Sequence, residues 1–341
     1  MNRTAIAVRP RDAQAALQQL IEQGLLDDGR RISRTHDAVK LPVSEPPEDF
    51  PFSFEVVEQR EVVPRDFPTP MAEIRARIQE EQPSADPAML PDSWEKIGNI
   101  LVMRFPDGFP DRQQAAAIYA EVLGCRAVLE DVGGIAGVMR QPRVRHLWGD
   151  PDTETTHLEN AVVFRLDPQC VMFSSGNIDE RIRMASVASP GEVIVDLFAG
   201  IGYFTLPLAV HSAARVYACE LNPVAAGYLR ESAQLNDVES RVEVREGDCR
   251  SVAPRGVAER VVMGYLQPAP FLPTAMEVLR PAGGVLHYHC VCSADDFPGQ
   301  PMQEVQQAAH NAGRSAELLQ HRVVKSYAPG VVHGVLDVAV E

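Results

Sequence analysis

The 341-residue sequence contains no run of eighteen apolar residues, which excludes an ordinary membrane-crossing helix. Its opening stretch, MNRTAIAVRPRD, lacks the apolar core of a secretory leader, so the chain is expected to be cytoplasmic. Cysteine is sparse: Cys125, Cys170, Cys219, Cys249, Cys290 and Cys292 show no CxxC spacing, and a disulfide scaffold is not expected at that dilution. Lysine is nearly absent, since Lys40, Lys96 and Lys325 are the only ones among 32 basic residues. Arginine suits bidentate phosphate contacts, although a compositional bias of the genome gives the same pattern. A net charge of −15 argues against broad adhesion to nucleic acid, yet residues 41–95 alone carry −9 and hold ten prolines. That stretch reads as an acidic, proline-rich connector with one helix near Met71 to Gln82.

The length allows two or three domains. Residues 1–50 read as a small α+β unit, with a strand at Thr4 to Val8 and a helix capped by Asp12 that runs to Gly24. Short strands are expected over 28–43. The connector is placed at 51–95. Residues 96–168 form a second α+β module, with a strand at Ile97 to Met103, a helix at Arg112 to Leu123, and a strand, turn and strand around Gly133-Gly134. Residues 169–341 form a third domain. From Pro190 the pattern is strict alternation, with strands at 193–197, 215–219, 241–245, 260–264 and 284–289 and helices near 204–211, 222–236 and 270–280. Alternation implies a parallel sheet covered by helices on both faces. The last strands, 317–325 and 331–340, lie too close for a helical crossover and must pair antiparallel. The fold class is therefore α/β, a class I methyltransferase-like, Rossmann-like parallel sheet with an antiparallel C-terminal hairpin, preceded by small α+β modules.

The stretch Val193 to Glu220 carries the chemistry. VIVDLFAGIGYF ends a buried strand at Asp196 and turns through Gly200 and Gly202 into a helix near Phe204. Side chains at the two glycines would block a ligand from the backbone, and the helix N-terminus offers unpaired N–H groups. Glu220, twenty residues beyond Gly200, ends the next strand, where a carboxylate accepts both hydroxyls of a ribose. Thr205 replaces the third glycine of a dinucleotide fingerprint, and Asp196 precedes the turn; both features favour S-adenosylmethionine over NAD. Ligand groups in such a sheet come from strand C-termini, which adds Asp248 and the Cys249 N–H for an adenine, and Gly264-Tyr265 after the fourth strand.

Upstream, MFSSGNIDERIR (172–183) reads as a polar turn capping a helix from Ile178. Ser174 and Arg181 are candidates to grip an amino-acid carboxylate; the plain alternative is a helix cap with solvated charges. In MRQPRVRHLWGDPDTETTHLEN (139–160), Arg140, Arg143 and Arg145 interleave with His146 and Trp148, a mixture able to pair phosphates and stack on a base, or simply an exposed strand edge. His287 and His289 alternate to one face of their strand and Cys290 and Cys292 follow, so a single four-ligand metal site is geometrically awkward and none is expected.

The order of VRHLWGDPDTETTHLEN, MFSSGNIDERIR, DLFAGIGYFTLP, VVMGYLQ and GVLHYH resembles the archaeal and eukaryotic tRNA enzymes that act on the guanosine 3′ of the anticodon, over almost the whole chain. Two sister families share this plan, the tRNA guanine-N1-methyltransferases and the wybutosine-synthesising aminocarboxypropyltransferases. The methyltransferases have Asn-Leu-Pro after the fourth strand, whereas Met263-Gly264-Tyr265 and His287-Tyr288-His289 are similar to the aminocarboxypropyl family. Gln267-Pro268 departs from both. The resemblance implies transfer of the 3-amino-3-carboxypropyl group of S-adenosylmethionine to 4-demethylwyosine in tRNA(Phe). It makes 96–168 an RNA-contacting module, and Arg145 and Glu180 candidates near the acceptor base. The partner implied is the tRNA(Phe) anticodon region; no metal is required, and a monomer is expected. Guanine-N1 methylation and a non-catalytic S-adenosylmethionine and RNA-binding module are the alternatives.

Overall fold

The computed structural model describes residues 3–35, 37–47, 50–59 and 69–341, in two compact units, Met1–Glu73 and Ile74–Glu341. In the first unit, β1 (Thr4–Val8) is followed by helix α1 (Ala13–Glu22) and strands β2 (Ser33–Arg34), β3 (Val39–Pro42) and β4 (Phe54–Glu58). They form an antiparallel sheet in the order β2-β3-β1-β4. Ile6, Val8, Leu20 and Leu41 make its core. Asp12 gives α1 no side-chain cap; its carboxylate instead accepts from Arg9 Nε at 2.9 Å.

Much of the expected connector is ordered structure. Phe54–Glu58 is paired with β1, and α2 (Pro70–Glu81) buries Ile74 and Ile78, a spacing of four that puts both on one face. Only part of the acidic, proline-rich stretch, at 48, 49 and 60–68, lies outside the described residues. Helix α2 lies where the sequence places a helix near Met71 to Gln82, whereas local composition hid β4, because a few well-spaced apolar residues suffice to dock a short element.

The second unit continues with β5 (Trp94–Ile97), β6 (Ile100–Met103), α3 (Arg112–Leu123), β7 (Ala127–Ala136) and β8 (Gln141–Gly149), a sheet in the order β5-β6-β7-β8. What reads as one strand at 97–103 is an antiparallel hairpin. Gly133-Gly134 is not the turn. It sits in an irregularity of β7 whose register shifts between Asp131 and Ile135, and the chain reverses at 137–140.

A hairpin of β9 (Thr155–Glu159) and β10 (Val162–Leu166) packs Val162, Phe164 and Leu166 into the core of the large sheet. Then follow α4 (Ile178–Met184), β11 (Val193–Asp196), α5 (Thr205–His211), β12 (Arg215–Glu220), α6 (Pro223–Leu235), β13 (Val242–Glu246), α7 (Cys249–Val252), β14 (Arg260–Met263), α8 (Leu272–Val278), β15 (Gly284–Ser293), α9 (Gly299–Asn311), β16 (Ala316–Ala328) and β17 (Val331–Val340). The sheet order is β13-β12-β11-β14-β15-β17-β16, parallel except for β17, which runs antiparallel to both neighbours. Helices α7 and α9 escape the sequence reading, the first for its four residues and the second because Pro298 and Pro301 punctuate its start. Among the described residues no helix is long and apolar enough to cross a membrane, and no group of three His, Cys, Asp or Glu could hold a metal ion.

The parallel order reverses direction between β11 and β14, and the crevice at their C-terminal ends is the switch point where ligands bind in such sheets.

Candidate functional site

A cavity of about 550 Å³ opens at that switch point, within the range of small-ligand pockets. Its floor is the turn after β11. Gly200 has φ 57° and its N–H donates to Glu220 Oε2 at 2.7 Å, while Asn222 N–H donates to Oε1 at 2.7 Å. The carboxylate that ends β12 thus pins the glycine turn and keeps lone pairs for a ligand hydroxyl. Burial raises its pKa, and these backbone donors work against that rise.

The two glycines do different jobs. A Cβ on Gly200 would meet the Tyr203 ring at 3.0 Å at the cavity edge. Gly202, with φ 101°, lies off the cavity wall, and a Cβ there would meet Leu229 Cδ1 at 2.5 Å and Leu206 Cγ at 2.7 Å. It allows helices to pack against the turn, and the structure does not bring it to the wall where the ligand contact is expected. Asp196 is likewise beneath the wall. Fully buried, it accepts from Phe198 N–H at 3.2 Å and Thr205 Oγ1 at 2.9 Å, and desolvation pushes its pKa up to about 7. Thr205, which stands where a dinucleotide fingerprint has glycine, is therefore a partner of Asp196 and holds the turn from inside.

At one end of the cavity, Asp248 caps α7 through Arg250 N–H at 2.9 Å. Its side chain is also held by the Arg250 guanidinium, at 2.5 Å to Oδ2, which lowers its pKa. Cys249 lies beside it, and burial pushes its thiol up to about 11, so it is an inert wall rather than a nucleophile. Phe198 and Tyr265 stack with centroids 5.0 Å apart, and Phe271 stands edge-on to Phe198 at 4.9 Å. A flat aromatic wall with a carboxylate and an N–H at its rim fits one face and edge of an adenine. Gly264 is required because a Cβ would meet the Phe204 ring at 2.8 Å.

At the other end are Ser174, Asn177, Arg181, His289, His333 and Lys325. Arg181 is 1% exposed and already engaged: Nε and Nη2 donate to Glu159 at 2.5 and 2.6 Å, Nη1 donates to the Ser174 carbonyl at 2.6 Å, and the guanidinium lies 5.2 Å from the Phe173 ring centroid. Three of its five donors are used, and two remain. Tyr203 O–H donates to the Met172 carbonyl in a short bond, tying the glycine turn to the Ser174 segment.

Two further candidates, Glu180 and Arg145, lie off the wall like Asp196 and Gly202. Glu180 is fully buried and off the cavity wall, held by Arg183 at 2.7 Å, with Arg322 at 3.5 Å and the wall residue His289 at 3.8 Å. It does not reach the cavity directly, because its helix turns it toward the Arg183–Asp337 pair, 2.6 Å long. Arg145 pairs with Glu130 at 2.5 Å on an exposed face of β8 and is not part of the wall. Arg140 is, because the β7–β8 turn delivers it there and Asn222 Nδ2 donates to the Met139 carbonyl at 3.2 Å. Arg140 was legible only as one of several interleaved arginines. His333 and Lys325 carry no local signal, since they arrive from the C-terminal hairpin, more than a hundred residues from Gly200.

The aromatic wall, the Glu220 carboxylate and the backbone approach at Gly200 fit S-adenosylmethionine. Residues 155–319 match the TRM5/TYW2 methyltransferase domain, residues 74–153 the TYW2 N-terminal domain, and residues 5–51 the tRNA methyltransferase 5 N-terminal domain. The tRNA(Phe) (4-demethylwyosine(37)-C(7)) aminocarboxypropyltransferase of Pyrococcus horikoshii is 38% identical over 269 residues, 78% of this chain and 96% of that protein. This chain belongs to the TRM5/TYW2 family. The structure of P. horikoshii TYW2 in complex with MeSAdo superposes with a TM-score of 0.71 at 35% identity, covering 79% of this chain and 98% of that one. Wild-type Trm5b from Pyrococcus abyssi gives 0.68 at 30% identity and covers 100% of both chains. The family accounts for the small first unit as well as the large sheet.

Proposed function

We propose that this protein transfers the 3-amino-3-carboxypropyl group of S-adenosylmethionine to 4-demethylwyosine in tRNA(Phe), releasing methylthioadenosine. The observation that carries the reading is the relation to the named P. horikoshii aminocarboxypropyltransferase across 96% of its length. A second at 41% identity, from Methanocaldococcus jannaschii, bears the same name. The Gly264-Tyr265 loop supports it, since it lacks the Asn-Leu-Pro array of the methylating sisters.

When bound, the sulfonium supplies three electrophilic carbons, and the carbon facing the nucleophile in line is the one transferred. The chain's own residues decide which. Glu220 takes the ribose hydroxyls, Asp248 and the Cys249 N–H the adenine edge, and the packed rings of Phe198, Tyr265 and Phe271 border its face. Ser174 and the two spare N–H groups of Arg181 receive the amino-acid end, with Arg181 fixed in place by Glu159. Arg140 and Lys325 line the cavity where an anionic RNA backbone approaches, giving salt-sensitive, local contacts on an otherwise acidic chain. Arg145, away from the cavity, is assigned to RNA contact outside the site. Catalysis is largely positioning, because the electrophile is already activated.

Guanine-N1 methylation is the second reading, favoured by the match of residues 5–51 to the tRNA methyltransferase 5 N-terminal domain and by full-length cover of Trm5b. Incubation of precursor tRNA with cofactor labelled in the carboxyl carbon, then in the methyl, separates them. Carboxyl label in the tRNA is expected; methyl label alone overturns the proposal.

A further inference from the structure

Two histidines on the cavity wall have no role in cofactor binding as described. His289 on β15 and His333 on β17 are diagonal neighbours on one face of an antiparallel pair, since His289 lies opposite Val335 and His333 opposite Val291. They are 2% and 3% exposed, and His289 Nδ1 meets His333 Nε2 at 3.3 Å. His289 also stacks on Phe204, with centroids 5.0 Å apart, which fixes its plane beside Gly264. The two outer nitrogens, His289 Nε2 and His333 Nδ1, are buried with no hydrogen-bond partner. A native interior seldom leaves such atoms unpaired without a ligand or a chemical use.

The tautomers follow from the surroundings. Glu180 Oε1 lies 3.8 Å from His289 Nε2, and a carboxylate offers acceptors only, so it favours a proton on Nε2. Nδ1 of His289 then accepts from His333 Nε2–H, which leaves a lone pair on His333 Nδ1. The groups around the pair are Glu180 and Arg183 from α4, His287 on the same strand, Asp337 on β17 and Lys325 on β16. Burial holds both imidazoles neutral at pH 7: His333 falls to about 4, with Lys325 adding to the effect, and His289 lies well below its ordinary value.

We propose that His333 Nδ1 accepts the proton displaced from the acceptor ring carbon, and that His289 is the positioning residue which sets its tautomer and shares the resulting charge with Glu180. This rests on the aminocarboxypropyl reading. Alkylation of a ring carbon differs from alkylation of a nitrogen lone pair in that a C–H bond must be lost. The new carbon–carbon bond forms as the carbon–sulfur bond breaks, and its electron pair leaves with the thioether sulfur. The C–H pair then returns to the ring, and the proton passes to His333. The alkylated ring is a strong carbon acid at that moment, so a weakly basic imidazole suffices. Glu180, expected near the acceptor from the sequence, serves this step from behind His289.

His333→Asn keeps a polar atom near the Nδ1 position and cannot take up the proton. The expected result is a single-turnover rate lowered roughly 10²-fold or more, with cofactor affinity by calorimetry and thermal stability unchanged. An isotope effect from tRNA deuterated at the acceptor carbon should appear in the variant. Imidazole should partly restore His333→Ala, and nitrogen NMR of the ligand-free protein should find His333 Nδ1 without a proton. A wild-type rate in His333→Asn, or a proton on Nδ1, overturns the proposal. So does a loss of cofactor affinity in step with rate and without an isotope effect, which would make the pair a subsite for the amino group. If the wild-type protein places no carboxyl label in tRNA, the functional reading fails first and this step falls with it.

Discussion

The Glu159–Arg181 pair joins the β9–β10 hairpin to the helix that borders the cofactor cavity, and replacing Glu159 by leucine tests how that end is held. The partners' side chains are 8% and 2% exposed, and the guanidinium makes two of its three bonds to this carboxylate. Removing one member of a buried ion pair strands the other charge and costs about 3–5 kcal/mol. For a domain of this size each kcal/mol lowers Tm by about 2–4 °C, so a fall of roughly 6–20 °C is expected. Arg181→Met in the same background removes the stranded charge with little change in volume, and the double variant should regain most of the lost stability. Both variants should lose cofactor affinity, because the Ser174 carbonyl and the cavity wall depend on Arg181. Circular dichroism melts of the four proteins, with calorimetric titration of S-adenosylmethionine, give the full cycle. A fall in Tm below about 2 °C in Glu159→Leu, or a double variant equal to the sum of the singles, would refute the claim that this pair is desolvated and coupled.

Asp196, with its pKa raised by burial, holds a proton in the folded state that the unfolded chain releases near 3.8. Its contribution is therefore complete below about pH 4 and is lost as pH rises through about 7. Asp196→Asn should gain stability relative to wild type between about pH 4 and about pH 8 in urea melts; a pH-independent difference would show that Asp196 is ionised in both states. Gly264→Ala places a Cβ 2.8 Å from the Phe204 ring and should cost about 1–3 kcal/mol in stability, or weaken cofactor binding by the equivalent factor if the ring moves into the cavity. Wild-type values of both would mean that the ring has room to give.

The sequence by itself determined the large sheet and the end of it that binds. Strict strand–helix alternation and a C-terminal pair too close for a crossover leave few topologies, and the turn at Gly200 with Glu220 twenty residues later is a local pattern whose geometry follows from backbone sterics. The motif order was also sufficient to indicate the family. Tertiary structure decided what each side chain does there. Asp196 and Gly202 belong to the same local motif as Gly200, yet they face inward, because helix packing and desolvation act on the opposite side of the turn. Glu180 and Arg181 are adjacent on one short helix. One reaches the cavity and the other is buried behind His289, a difference of rotation about the helix axis that depends on partners from β9, β16 and β17. His333 could not be found from its neighbours in the chain, since its function depends on His289 and Lys325 being brought alongside by strand pairing.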